Sequence, residues 1–364
     1  MTDKPENIES AISPADQPVV SDVEQPVVSN VEQPVVSNVE QPVVSNVEQS
    51  ASGEPDRQSV EKSFLVQKFA KIQLGAIHVI GYSVAGEETV IQVPELNVCF
   101  DIGRSPYFAL TSDIVCITHG HMDHLAGLPY YLSQRYFQGM QPGLIVLPQE
   151  LAGQVDLMLK CWRNVERQGT PYELVPMSAG QLCEVRRDFG IRAYATHHGG
   201  SSLGYGLISI REKLKPEYLG RPGAELAAMR KSGVQIQYRL EVPLVVFLGD
   251  TSVGPVFDQP DVQNAEVLLT ELTFFDPEHR AKAKAGRHLH VEQFAAILPK
   301  LKNKYIVLGH VSRRTGIGRA KRLLRKQIGA EAMARIHFLM DFEGSSDAGD
   351  VEQAGPNPAD SPDF

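Results

Sequence analysis

The chain has 364 residues, 42% of them hydrophobic and 22% charged, which is the make-up of a water-soluble globular protein with room for one large domain or two ordinary ones. No stretch approaches the roughly 18 apolar residues of a membrane span, and the opening MTDKPENIES lacks both the basic-then-apolar order of a secretory signal and the arginines of a transit peptide. The net charge of −9 sits at the ends: residues 1–59 carry −9 and residues 344–364 carry −5, leaving 28 acids against 33 bases, a net of +5, in residues 60–343. That mildly basic centre permits a polyanionic partner.

In chain order, the first feature is a repeat. The unit EQPVVSNV starts at Glu24, Glu32 and Glu40, after a near copy from Asp16 to Val23. Eight residues are too few for a helical solenoid repeat. Each copy holds a Pro, which blocks helix, and residues 1–59 contain no aromatic side chain. The segment reads as a disordered low-complexity tail rather than a docking motif built on its Val-Val pairs.

Residues 60–343 read as one domain in which short, β-branched runs alternate with helical ones. Strands are expected over Phe64–Leu74, Leu96–Phe100 and Ile114–Thr118, then a helix over Leu125–Phe137, a strand over Leu144–Leu147 and a helix over Pro148–Arg167. Strands follow over Ile191–Thr196 and Gly206–Ile210, a helix over Gly223–Ser232, and strands over Leu244–Leu248 and Val267–Glu271. A helix over Val291–Leu301, a strand over Tyr305–Leu308, a helix over Gly318–Ile328 and a strand over Ile336–Met340 complete the series. This alternation points to an α/β layered domain. Residues 344–364 form a second, acidic disordered tail. The four cysteines, Cys99, Cys116, Cys161 and Cys183, include no Cys-x-x-Cys pair and read as the reduced thiols of a cytosolic protein.

The strongest chemical signal is ITHGHMDHLAGLP. A strand runs straight into His119, His121, Asp123 and His124, four metal-ligand side chains in six residues. In extended backbone, residues two apart point the same way, so His119 and His121 can grip one ion. Asp123 and His124 begin the next helix and suit a second ion. Imidazole and carboxylate are ligands of Zn2+ and Mn2+. Further ligands occur where other strands end: His198 after IRAYATH, Asp250 after PLVVFLG and His310 after YIVLG. The set gives His119, His121 and His198 for one ion, Asp123, His124 and His310 for the other, and Asp250 as the bridge. His197 competes with its neighbour His198 for its place.

This order of H-x-H-x-D-H, His, Gly-Asp-Thr and strand-end His resembles the metallo-β-lactamase superfamily, which implies a four-layer αββα sandwich. The finer pattern is similar to ribonuclease Z, in its plant-type short form. His198, Ser202, Gly204 and Tyr205 match that family's His-x-x-x-Ser-x-Gly-Tyr. Glu271, Thr273 and Phe274 match its Glu-x-Thr-Phe, His288 and His290 its Gly-His-x-His, and His310, Ser312 and Arg314 its last motif. The segments GYSVAGEETVIQVPELNVCFDIGRSP and KLKPEYLGRPGAELAAMRKSGV add to the likeness, which spans roughly residues 72–342. The chain departs from the pattern at Thr315, where the family usually has Tyr, and at Arg287, where it usually has Gly. No separate Gly-Pro-rich arm for gripping tRNA is expected between Tyr205 and Asp250; the Lys-rich helical segment would serve instead.

The resemblance implies an endonuclease that removes the 3′ trailer from precursor tRNA and leaves a 3′-hydroxyl on the tRNA. It implies two divalent ions, Zn2+ with Mn2+ as the alternative, a homodimer in the cytoplasm, and no membrane partner. Two ions ~3.5–4 Å apart can activate water and stabilise charge on both sides of a displaced phosphate. Asp123 would orient that water and take its second proton. His288, held by Glu271, would protonate the departing ribose oxygen. Ser312 and Arg314 would hold phosphate oxygens. Basic stretches at Arg211–Lys215, Arg280–Arg287 and Arg313–Lys326 suit phosphate steering. The alternative is another hydrolase of this superfamily acting on a small phosphodiester or thioester, which would have the seven ligands but no need of Glu271 and His288.

Overall fold

The computed structural model describes residues 69–342. The repeat-bearing segment 1–59, the tail 344–364 and the first five residues of the strand expected from Phe64 lie outside the described residues.

Seven strands in sequence order build the first sheet: β1 (Ala70–Leu74), β2 (Ile77–Val84), β3 (Glu88–Val93), β4 (Val98–Phe100), β5 (Ile114–Cys116), β6 (Leu144–Pro148) and β7 (Glu173–Met177). The next seven build the second: β8 (Leu182–Arg186), β9 (Phe189–Ala195), β10 (Leu203–Leu214), β11 (Gln237–Phe247), β12 (Val267–Glu271), β13 (Tyr305–Gly309) and β14 (Ile336–Phe338). Each sheet opens with four antiparallel strands and closes with parallel pairings, from β4 onward in the first and from β11 onward in the second. Parallel neighbours need crossovers. In the first half these carry α1 (Met122–Leu125), α2 (Leu128–Phe137) and α3 (Gln149–Glu166). In the second, α4 (Gly223–Lys231) lies between β10 and β11, and the crossovers carry α5 (Pro260–Asn264), α6 (Arg280–Gly286), α7 (Val291–Ile297) and α8 (Ile317–Met333).

Three apolar clusters define four layers. Val79, Val98 and Phe100 of one sheet meet Leu207, Val245 and Phe247 of the other, with the Phe100 and Phe247 rings 5.1 Å apart. Leu128, Tyr131, Val155 and Leu159 of α2 and α3 pack with Val115 and Ile145 of the first sheet. Phe294 and Leu324 of α7 and α8 pack with Leu268 and Ile306 of the second. The order is helix, sheet, sheet, helix, the expected αββα sandwich. Central strands covered on both faces are buried along their whole length, as in β3 and β12.

Three differences from the sequence reading have local causes. The helix expected over Leu125–Phe137 is two helices, because Pro129 has no N–H to offer the Leu125 carbonyl and its ring crowds that carbonyl, so a new helix starts at Leu128. The strands β2, β3, β7 and β8 were not expected. β3 is buried on both faces, and β2 buries one face while carrying apolar residues on the half-buried other, so neither sequence alternates polar and apolar, while β7 and β8 contain exposed charged or Pro residues. Third, the segment after Tyr205 is more than a helix. β10 pairs with β9 only as far as Ser209, yet β10 and β11 continue to pair from Ile210/Glu241 to Leu214/Gln237. These outer ends form a two-stranded ribbon, with α4 in the connection between them. The segment expected to stand in for a Gly-Pro-rich arm thus holds the expected helix, α4, together with a strand ribbon that was not expected.

Among the described residues, no helix is long and apolar enough to cross a membrane.

Candidate metal centre

The C-terminal ends of five strands meet where the two sheets face each other. His119 and His121 follow β5, His198 follows β9, Asp250 follows β11, Glu271 ends β12 and His310 follows β13. Asp123 and His124 lie on α1, one turn beyond the first two histidines.

All seven sequence-predicted ligands come together. Candidate ligand atoms of His119, His121, His198 and Asp250 lie within 4.8 Å of one another, as do those of Asp123, His124 and His310. Asp250 joins the two groups. Its Oδ2 is 3.3 Å from His310 Nε2, 3.4 Å from His124 Nε2, 3.8 Å from His198 Nε2 and 3.9 Å from His119 Nε2. Asp123 Oδ2 is 3.6 Å from both His124 Nε2 and His310 Nε2. His198 is buried and faces His121 Nδ1 at 3.3 Å, whereas His197 is exposed and its backbone N–H donates to Thr251 Oγ1.

Surrounding hydrogen bonds decide which ring nitrogens face inward. Asp101 follows β4, and its carboxylate accepts from Thr118 N–H (2.7 Å), Thr118 Oγ1–H (2.9 Å) and His124 Nδ1–H (2.7 Å). Since the Thr118 hydroxyl gives its proton to Asp101, it accepts from His119 Nδ1–H at 3.0 Å. The second half repeats this logic. The Thr273 hydroxyl donates to Glu271 Oε2 at 2.5 Å and so accepts from His310 Nδ1–H at 3.1 Å. His119, His124 and His310 are thereby fixed with bare Nε2 lone pairs turned inward, and these three atoms are buried without a hydrogen-bond partner. An unsatisfied buried polar atom costs about 1–3 kcal/mol, so three together would consume a large part of a domain's ~5–15 kcal/mol. A divalent cation would satisfy them, and outer-nitrogen anchoring of this kind is how ligating histidines are held. The donor set fits a metal on these grounds.

The electrostatics agree. Burial alone would raise the Asp250 carboxyl, but His310 and His124 hold it well below the usual carboxylate range. Burial keeps the His119 imidazole far below its ordinary value, hence neutral and able to ligate. Burial also opposes ionisation of Asp123, yet the imidazoles of His310 and His124, each 3.6 Å away, bring it below its usual value. The backbone is held unusually as well. Asp101 (φ 52°), Arg287 (φ 54°) and His310 (φ 57°) are non-glycine residues in the left-handed region, where each costs about 1–3 kcal/mol and persists only when its surroundings enforce it. Gly249, just before Asp250, is also left-handed, and a Cβ there would lie 2.7 Å from the Thr118 side chain.

Beside the cluster, Glu271 is buried and accepts four hydrogen bonds: from Thr251 N–H, Leu289 N–H, the Thr273 hydroxyl and His288 Nδ1–H, the last at 2.9 Å. The His288 ring is stacked on His310 with centroids 5.3 Å apart and lies 4.9 Å from that of His198. Burial alone would lower its pKa, but the Glu271 carboxylate, by charge and hydrogen bond, raises it to about 9. His288 also lies within ligand reach of Asp250 and His310, so position alone allows it to be a ligand or a proton donor. His290 takes no part in the cluster. It caps α7, and its Nε2–H donates to the Asp276 carbonyl.

Ser312 is buried, and its Oγ accepts from Arg314 N–H at 3.4 Å; Arg314 is exposed on the loop between β13 and α8. Thr315, at the position where a Tyr is usual, is buried and donates to Asp276, which Arg319 also grips.

Sequence reasoning missed the supports. Asp101, like the ligands, leaves a strand end, and that rule would have found it. Thr118 and Thr273 adjoin or lie in the quoted motifs. Gly86, in the β2–β3 turn, donates its N–H to Asp123 Oδ2 at 3.0 Å, and the next residue, Glu87, is gripped by Arg313 through two 2.6 Å contacts. A backbone donor on a turn leaves no sequence signal.

Comparison with known proteins gives a consistent picture. A family model described as a beta-lactamase superfamily domain matches residues 108–311. The chain is 35% identical over 246 residues to the chloroplastic tRNase Z TRZ2 of Arabidopsis thaliana, covering 67% of this chain and 70% of that protein. It is 34% identical over 252 residues to tRNase Z TRZ1 of the same plant, covering 68% and 90%. The crystal structure of the short form of human tRNase Z superposes with a TM-score of 0.47 at 19% identity, covering 72% of this chain and 95% of that one.

Proposed function

Because the chain belongs to the tRNase Z family of the beta-lactamase superfamily, we propose that it is the endoribonuclease that removes the 3′ trailer from precursor tRNA, leaving a 3′-hydroxyl on the tRNA. The observation that carries this reading is the pairing of a His/Asp cluster with the separate Glu271–His288 couple. A hydrolase of small, activated esters would need only the former.

In this reading His119, His121 and His198 would hold one divalent ion, Asp123, His124 and His310 would hold a second, and Asp250 would serve both. The ions would be Zn2+, or Mn2+ in its place. When bound, they would supply Lewis-acid stabilisation of phosphate oxygens and acidify water. The chain's own residues do the rest. Asp123, steadied by Gly86 N–H, orients the attacking water and accepts its proton. His288, kept protonated by Glu271, donates from Nε2 to the ribose 3′ oxygen as the bond to phosphorus breaks. The Ser312 hydroxyl and the Arg314 guanidinium take phosphate oxygens. The basic stretches around Arg280–Arg287 and Arg313–Lys326 draw in the polyanion.

We also take the working unit to be a homodimer in the cytoplasm. All four cysteines are free thiols, which suits a reducing compartment. The catalytic domain is assigned to 60–343, with 1–59 and 344–364 as tails.

The test is cleavage of a precursor tRNA by purified protein, with both new ends mapped and with chelator as the control. One cut at the 3′ side, a 3′-hydroxyl on the tRNA and loss of cutting with chelator are expected. Hydrolysis of small phosphodiesters or thioesters without tRNA cleavage would favour the alternative hydrolase.

A further inference from the structure

Among the described residues, His198 has an outer attachment unlike those of the other inward-facing histidines. The Nδ1 atoms of His119, His124 and His310 rest on Thr118, Asp101 and Thr273 at 2.7–3.1 Å. His198 Nδ1 instead faces the backbone carbonyl of Arg287 at 3.4 Å, a long and weak contact. His198 is also followed directly by two consecutive exposed glycines, Gly199 and Gly200, in an irregular loop. A histidine so placed would wander unless something else held it.

That something is Arg287 again, from the other direction. Its Nη1–H donates to the His198 carbonyl at 2.9 Å. The two residues, 89 apart in sequence, therefore clasp one another, side chain to backbone in both senses. The clasp has a visible cost. Arg287 is the left-handed residue that ends α6, where its N–H bonds back to Lys284, a position that favours glycine. A glycine is present but one residue too early. A Cβ on Gly286 would lie 2.9 Å from the His288 ring, so Gly286 serves space and leaves Arg287 to make the turn.

We propose that Arg287 is a positioning residue for His198: its guanidinium locks the glycine-rich loop after β9 onto the loop that carries His288, trading backbone strain for a fixed ligand. Ligand and proton donor then keep one spacing, since a single residue joins both loops. The proposal rests on the reading of His198 as a metal ligand.

Two variants separate the strain from the clasp. R287G removes both, while R287Q removes the guanidinium and keeps the Cβ. Metal-free R287G should melt about 2–4 °C above metal-free R287Q, because glycine enters the left-handed region without strain. Both should weaken Co2+ binding by roughly tenfold or more and shift the visible spectrum of bound Co2+, as loss of an outer support does. R287K should recover part of the affinity. Co2+ affinity that follows melting temperature, or that is unchanged in both variants, would overturn the proposal. His198→Ala is the control for the ligand reading itself. If it binds Co2+ as wild type does, that reading fails and takes the proposal with it. If it binds weakly while R287G and R287Q bind normally, only the proposal fails.

Discussion

Asp101 in the first half and Glu271 in the second do the same job with different results. Each is a buried carboxylate where a strand ends, each accepts from a threonine hydroxyl that in turn anchors a cluster histidine, and each holds a second histidine by Nδ1. The second histidine of Asp101 is His124, wholly buried, with its Nε2 sealed against Asp250 and Asp123. That of Glu271 is His288, whose side chain is 17% exposed at the margin of the cluster. A carboxylate makes an imidazole more basic in both places. In the proposed reading, the basicity of the wholly buried ring serves a ligand and that of the ring bordering solvent serves a proton donor.

The comparison would break first at Asp250, which both halves share. Asp250→Ala should abolish cleavage and remove at least one equivalent of bound metal. Two full equivalents in an active variant, read by elemental analysis, would take Asp250 out of the site. The comparison is sharpened at Asp101. Asp101→Asn keeps the shape but weakens the anchor of His124, so metal affinity in a competition titration should fall by roughly 10–100-fold. An unchanged affinity would mean that His124 needs no charged support. The smallest effect is expected far from either pair. Deleting residues 1–59 should leave melting temperature and turnover nearly unchanged, since a Pro-punctuated repeat sequence with no aromatic side chain is a poor source of core contacts; an insoluble or inactive product would place the repeat in the working structure.

How much of this could be read beforehand depended on local density. His119, His121, Asp123 and His124 stand within six residues, so their chemistry shows in any window that includes them. His198, Asp250 and His310 are single residues, legible only because each leaves a strand of apolar residues. Asp101 leaves a strand in the same way, but one carboxylate after VCF looks like an ordinary turn. The strands β2 and β3 were hidden because apolar residues on both faces erase alternation. The ribbon beyond Ser209 was hidden because REKL in its outer half is as polar as a helix surface. Arg287 was visible as a departure from the family pattern, but its meaning needed a positive φ and a partner 89 residues away.

The account turns on His288 as donor rather than ligand, and its neighbours Asp250 and His310 leave both roles within reach. The direct measurement is His288→Ala, assayed for bound metal, for turnover of precursor tRNA and for turnover of a nitrophenyl phosphodiester. A nitrophenolate leaves without a proton from the enzyme, so only the tRNA reaction needs the acid. The variant should keep its metal, lose roughly 10²–10⁴ in tRNA turnover and cleave the activated ester at near wild-type rate. Equal losses on both substrates, or loss of metal, would show that His288 supports the ions or the fold and would contradict the account.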